Sequence, residues 1–382
     1  DRSPSRGLGD VYKRQGLMHS LIYIGFLGLF AGTVTLEIHH LMPPSLKFLQ
    51  GTTYIVYSFT LELATIAYLT GLFWALARRL IGTEYRIKTK TTIDDYLTLS
   101  LLIFIGISGI TTEAGRIALE NFPDYEKWSF IGYAVGQFLN LSNPELFHRI
   151  SWVLHVVSFF VFLIAIPLSK LRHIFTSPIN MFMSPKERPK GAMKFIGNLL
   201  EADDIDNVGT EIIDHFTWKQ LMDLDACTVC GRCTSVCPAN QTGKSLDPRE
   251  IILKVGQVMS ESGQPAVPAT VSTPGPLRVN SDNVFERITS EELWACTSCK
   301  ACDEICPVNI EILDKILDMR RHLALMESDF PAELGKAYVA MENSSNPWGA
   351  SQNDRLKWTE DLDFDVPVID ETNHEEYDYL YW

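Results

Sequence analysis

Apolar residues are spread unevenly along the 382-residue chain. From Gly16 to Thr176 they run in long stretches with few charges, whereas Ser177 to Trp382 reads as ordinary soluble protein. A helix needs about 20 mostly apolar residues to cross the hydrocarbon core of a bilayer. Segments at roughly 16–40, 53–80, 96–118 and 149–172 meet that length, and a shorter apolar piece near 128–141 is expected to be interfacial or re-entrant. In the second half, apolar spacing predicts helices at 218–224, near 247–260, in the stretch leading to Trp294 and at 310–323, with a Pro-rich loop near 264–276. The expected fold class is all-α: a transmembrane helical bundle over 16–176, a linker over 177–214, an α-helical cysteine domain over 215–325 and a second linker over 326–382.

Charge orients the bundle. Loops on the cytoplasmic side of a membrane carry the excess of Lys and Arg. Arg78, Arg79, Arg86, Lys88 and Lys90 follow the second segment, and Lys170, Arg172, Lys186, Arg188, Lys190 and Lys194 follow the fourth, so both are expected to be cytoplasmic. The loop with Pro43, Pro44 and Lys47, and the loop with Glu120, Asp124, Glu126 and Glu145, are expected outside. The chain then belongs in the inner (cytoplasmic) membrane among lipid, with its cysteine domain on the cytoplasmic side, where thiols stay reduced. A net charge of -14 with no dense basic face excludes a nucleic-acid partner. Nine acids between Glu360 and Asp378 read as a solvated segment.

The two ends stand apart. The last six residues of the opening DRSPSRGLGDVYKRQ back-translate to a string that resembles the mosaic-end adapter of transposase-made libraries. Residues 1–15 are therefore expected to be adapter-derived, with the native chain starting upstream. At the other end Tyr379-Leu380-Tyr381-Trp382 is an aromatic, strand-like run with nothing after it to pack on, as if cut.

All eight cysteines fall into two copies of one pattern: Cys227, Cys230, Cys233 and Cys237 before Pro238, and Cys296, Cys299, Cys302 and Cys306 before Pro307. This is the spacing of bacterial ferredoxins, in which three thiolates hold one [4Fe-4S] cluster and the fourth reaches across to its neighbour. One cluster is then expected on Cys227, Cys230, Cys233 and Cys306, and the other on Cys296, Cys299, Cys302 and Cys237. Zinc is the competing reading, but zinc sites space their ligands as separated pairs.

Ionisable residues at membrane depth are functional candidates. His155 and His173 lie 18 residues apart on the fourth segment, on one face and about 27 Å apart if the helix is continuous. On the antiparallel first segment His19 lies level with His173 and His40 with His155, while His39 points away. Two bis-histidine haem sites are the economical reading, against histidines that merely bond headgroups. Glu62, Glu113 and Arg116 are also expected to be buried. Glu113 and Arg116 would pair locally or with a haem propionate, and Glu62 would alternatively line a quinone proton path.

The strings LMHSLIYIGFLGLFAGT and LHVVSFFVFLIAIPLSKLRHIFTSP resemble the haem b bundle of respiratory nitrate reductase gamma subunits. That family has five helices; four here fit loss of the first. The resemblance implies haem b, one or two per chain, because the family's outer ligand on the early helix follows a Phe-x-Gly and Thr33 fills that place. The cysteine half, with 58 residues between its motifs, resembles the α-helical dicluster ferredoxin module of succinate dehydrogenase and heterodisulfide reductase subunits. MRRHLALMESDFPAEL, NPWG and DRLKW resemble the linker of heterodisulfide reductase-like membrane iron-sulfur oxidoreductases of the electron-transfer flavoprotein to quinone oxidoreductase type. In that family two CCG domains follow, so no catalytic residue carries over to this chain. The resemblance implies electron transfer through two [4Fe-4S] clusters and haem b between a donor protein such as electron-transfer flavoprotein and quinone. A non-catalytic electron-carrier subunit and a thiol-disulfide reductase remain the alternatives.

Overall fold

The computed structural model describes residues 4–81, 90–189, 192–194, 208–262 and 282–368. The Pro-rich loop near 264–276, Arg86, Lys88, Lys190 and the aromatic run 379–382 lie outside these residues. The described residues form an all-α chain with no strands; one isolated bridge joins Ile212 to Asn283.

The first half contains α1 (Pro4–Leu41), α2 (Gly51–Leu80), α3 (Ile93–Leu119), the short α4 (Phe130–Leu139), α5 (Pro144–Leu168) and α6 (His173–Phe182). Four of these, over Arg14–Leu41, Gly51–Leu80, Ile93–Leu119 and Pro144–Leu168, are long and apolar enough to cross a membrane. The helix begins at Pro4, so the segment expected to be foreign runs into the first span without a break. Small residues let the spans approach closely: a Cβ on Gly25 would fall 2.7 Å from the Tyr68 backbone nitrogen, and one on Gly115 would fall 3.0 Å from His148 Cα. Met18, Tyr68, Leu72, Leu102 and Phe162 form the bundle core, while Ile24, Val56, Phe104 and Phe160 point outward.

The last span differs from its sequence pattern. A single helix over 149–172 was expected, but α5 stops at Leu168, Ser169 is extended, and a 3-10 turn over Lys170–Arg172 leads into α6. Pro167 explains the break, since it offers no N–H to the preceding turn and its ring crowds the carbonyl four residues back. His173 therefore opens a new helix and does not share one continuous face with His155.

The second half contains α7 (Trp218–Ala226), α8 (Arg232–Val236), α9 (Pro238–Gln241), α10 (Pro248–Glu261), α11 (Ser290–Trp294), α12 (Ala301–Glu304), α13 (Ile312–Leu325) and α14 (Ala332–Ser344). Its helices start where the chain supplies caps: Asp247 accepts from Arg249 N at 2.9 Å ahead of Pro248, and Thr217 with Gln220 and Thr289 with Glu292 form capping boxes. Ile251, Ile252, Val255, Leu293, Ile316 and Met319 make its core. Lys90 pairs with Glu250 and Arg172 with Asp225, so the described parts of both basic loops lie on the side of the bundle that meets the cysteine domain.

Candidate functional site

The two cysteine loops share one backbone course. Val229 and Ser298, each two residues past the first cysteine, have φ of 56°, and Gly231 and Lys300, each one past the second, have φ of 72° and 63°. A β-branched or long side chain in this left-handed region is strained, and the strain persists only because the surrounding fold over-determines it. The turn aims N–H groups at sulfur: Ser298 N lies 3.4 Å from Cys296 Sγ, Val229 N bonds Cys227 in the same way, and Ile310 N lies 3.4 Å from Cys306 Sγ.

The sulfurs gather across the motifs. A cavity is lined by Cys296, Cys299 and Cys302 together with Cys237 of the other run, with Leu246, Pro248, Leu313 and Ile316 closing its apolar side. Cys306 in turn lies close enough to Cys227, Cys230 and Cys233 to share their electrostatics. Burial pushes the Cys227 thiol up to about 12, with Cys230 and Cys306 adding to it, and burial also raises Cys233 and Cys302. A metal bound there would displace these protons to solvent and stabilise the thiolates that burial alone disfavours. Among the described residues no three His, Cys, Asp or Glu side chains close on a single-ion site.

A buried charge network that sequence reasoning missed holds the two motifs in register. Lys315 on α13 and Lys219 on α7 both reach Asp223, at 2.5 and 2.7 Å, and the side chains of Lys315 and Asp223 are fully buried. Burial alone would raise the Asp223 carboxyl; Lys315 and Lys219 outweigh it and hold the carboxyl below its ordinary range. The network ties the helix entering the first motif to the helix leaving the second. Arg320 fixes the other entry, bonding Leu293 O and Ser298 Oγ while stacking 4.9 Å from the Trp294 ring.

In the bundle, the structure brings His19 and His173 together, with ring centroids 6.3 Å apart. An iron held between two imidazoles needs centroids roughly 6 Å apart, from two metal–nitrogen bonds of about 2 Å plus two ring radii, so the pair fits haem. His173 Nδ1 donates to Lys170 O at 2.5 Å, which leaves Nε2 with its lone pair for a metal. His155 is oriented alike: Ser108 Oγ donates to Ile105 O, so it accepts from His155 Nδ1, 2.9 Å away. His40 is not brought to it. Its ring lies 6.2 Å from that of His39, and no ring contact joins His40 to His155 among the described residues.

Helix α6 links the two kinds of site. Its first residue is His173; its next turns place Thr176 Oγ1 3.1 Å from Asp225 O, Ser177 Oγ 3.2 Å from Ala226 O and Asn180 Nδ2 2.9 Å from Val308 O. Those carbonyls flank Cys227 and follow Cys306. A Ser and an Asn at one helical turn's spacing carry no motif, so only the docked structure reveals them.

At the other end of the bundle the expected pairing of Arg116 with Glu113 gives way to another. Arg116 bonds Glu126 at 2.6 and 3.1 Å, joined by Tyr54, because a fully buried carboxylate such as Glu126 needs a cation beside it. Glu62 Oε1 accepts Ile131 N and Gly132 N at the start of α4, which explains why this short apolar helix docks inside the bundle. Glu126 reads in sequence as an ordinary loop acid.

Comparison with known proteins agrees with this geometry. The family described as nitrate reductase gamma subunit matches residues 11–188, and the 4Fe-4S dicluster domain matches residues 223–310. The probable iron-sulfur-binding oxidoreductase FadF of Bacillus subtilis (strain 168) is 30% identical over 97% of this chain and 56% of its own length. The EtfAB:quinone oxidoreductase of Syntrophomonas wolfei subsp. wolfei is 28% identical over 91% of this chain and 51% of its own. One of the polypeptides of the Methanosarcina acetivorans dihydromethanophenazine:CoB--CoM heterodisulfide reductase is 28% identical over 42% of this chain and 37% of its own. The chain spans about half the length of the first two of these relatives. No solved structure matches it significantly. The chain thus joins a segment similar to nitrate reductase gamma subunits to one similar to 4Fe-4S dicluster domains, and the two relatives that it matches over most of its length are named as oxidoreductases.

Proposed function

We propose that this chain is the electron-conducting part of a quinone-linked oxidoreductase, passing electrons between a cytoplasmic donor protein such as electron-transfer flavoprotein and the quinone pool. The name of the Syntrophomonas relative, EtfAB:quinone oxidoreductase, supports the donor and the acceptor, and the Lys and Arg of the cluster-side loops support the cytoplasmic placement. Two [4Fe-4S] clusters and haem b, when bound, supply one-electron centres. The observation that carries the reading is helix α6, which begins at His173, 6.3 Å from His19, and holds the loops of Cys227 and Cys306 through Ser177 and Asn180.

In this reading Cys227, Cys230, Cys233 and Cys306 hold the cluster next to the bundle, and Cys237, Cys296, Cys299 and Cys302 hold the one farther on. His19 and His173 hold the haem on the cluster side. Apolar residues around Cys237 exclude water, and the N–H groups of Val229, Ser298 and Ile310 stabilise charge on sulfur. The test is anaerobic stopped-flow of the full chain in lipid, with the clusters pre-reduced. Haem b absorbance should rise before a short-chain quinone is consumed. Quinone consumed with no haem b in the preparation overturns the reading.

A further inference from the structure

A cavity of about 100 Å³ lies where the cluster-side end of the bundle meets the first cysteine loop. Among the described residues its walls carry four cations, Arg78, Arg79, Lys90 and Lys170, and one carboxylate, Asp95, with Cys230 at one edge. That carboxylate is already committed: it caps α3 through Thr92 N at 2.9 Å, takes Lys170 Nζ at 2.9 Å and lies 3.7 Å from Arg79 Nη2. Lys90 leans on Glu250, 2.8 Å away. Arg79 Nε is buried with no partner. Converging cations repel one another, so the cavity suits an anion with several acceptor oxygens.

The level of the cavity in the membrane selects the oxyanion. Arg78 and Arg79 stand in the last turn of α2, Asp95 in the first turn of α3, and Lys170 just past the end of α5, at the ends of helices long and apolar enough to cross a membrane. Basic pockets between spanning helices at this depth take anionic lipid headgroups. We propose that the cavity binds the phosphate of an anionic phospholipid, with Arg79 and Lys170 as its principal donors. The site stands independently of the haem and quinone reading, because it rests on cations and depth alone.

The test uses the full chain with its clusters, delipidated in neutral detergent. Phosphatidylglycerol should raise the thermal midpoint in a concentration-dependent way, while phosphatidylcholine should not. Native mass spectra of protein taken gently from membranes should carry a retained anionic lipid. Arg79→Gln with Lys170→Gln should abolish both effects, and Arg79→Lys should keep part of them. If the double variant does not fold, Arg79→Gln alone carries the same comparison. An equal response of wild type and variant to phosphatidylglycerol overturns the proposal. So does an equal shift with inorganic phosphate, which assigns the site to a free ion. Loss of haem rather than lipid from Arg79→Gln overturns it in favour of a haem carboxylate.

Discussion

The two halves differ in how polar and apolar residues are divided between inside and outside. In the cluster domain Ile251, Val255, Ile316 and Met319 fill the interior, and charge enters it in pairs such as Lys315 with Asp223, Arg188 with Asp314 and Lys254 with Glu292. The bundle keeps Ser58, Glu62, Ser108, Ser151 and Ser158 inside and turns Ile24, Val56, Phe104 and Phe160 outward. In water the apolar core does the folding, whereas in lipid the tails are as apolar as Leu, so close backbone contact at Gly25, Gly71 and Gly115 and internal hydrogen bonds must hold the helices. The candidate ligands follow suit. Cysteines sit on short loops whose spacing is local, and histidines sit on separate helices whose partnership depends on packing.

The largest effects should come from breaking the crossed cysteines. Cys306→Ser should disturb the cluster of the first motif, and Cys237→Ser that of the second, each dropping iron from about eight per chain towards four in anaerobic iron and sulfide analysis. EPR of the reduced protein should lose the coupling between the two centres. Loss confined to the cluster of Cys296, Cys299 and Cys302 on Cys306→Ser contradicts the crossing. About one zinc per chain without sulfide contradicts clusters altogether.

The bundle should respond to His173→Ala by losing a low-spin haem b spectrum while iron and sulfide stay unchanged. His40→Ala should leave that spectrum intact, since His40 has only His39 as a ring neighbour, at 6.2 Å, among the described residues. His155→Ala separates one haem from two: a spectrum reduced by half places a second haem on His155, and an unchanged one leaves its Ser108 hydrogen bond as a packing contact. Haem retained in full by His173→Ala removes the case for the His19–His173 site.

Within the cluster domain, Lys315→Met leaves a buried carboxylate with Lys219 as its remaining cation. The expected loss is roughly 3 kcal/mol, near the low end for breaking a buried pair, read by chemical denaturation under anaerobic conditions. Cluster content at zero denaturant should stay unchanged, which separates this effect from loss of a ligand.

What the sequence revealed follows the same division. Both cysteine runs are legible because a ligand loop is coded within a dozen residues, and the helices at Trp218 and Pro248 announce themselves through Thr217 and Asp247 caps. The four spans are legible because length and apolarity alone decide them. The pairing of His19 with His173 follows from loop charge and antiparallel order, but its supporting argument of one continuous helix fails at Pro167 and Ser169. Three things were not legible. Arg116 meets Glu126 instead of Glu113, Lys315 crosses to Asp223, and Asn180 reaches Val308. Each joins residues whose sequence separation says nothing about their distance, and each depends on how finished helices dock.

The smallest expected effect tests where the two halves meet. Asn180 is fully buried, and its Nδ2 bonds Val308 O at 2.9 Å, two residues past Cys306. Ser177 bonds Ala226 O at 3.2 Å, one residue before Cys227. Each bond contributes about 1 kcal/mol, so Asn180→Ala should lower domain stability only slightly and leave cluster and haem content at wild-type levels. Its consequence lies in position: the loop of Cys306 loses its tie to the helix that starts at His173. Haem reduction by pre-reduced clusters should slow in Asn180→Ala, and slow further in the double variant with Ser177→Ala, while the spectra of both centres stay unchanged. Asn180→Asp should also slow it, because a carboxylate facing a carbonyl offers no donor. Unaltered rates in all three variants would mean that the rest of the contact, such as Arg172 with Asp225 at 3.1 Å and Arg188 with Asp314 at 2.8 Å, fixes the distance without α6.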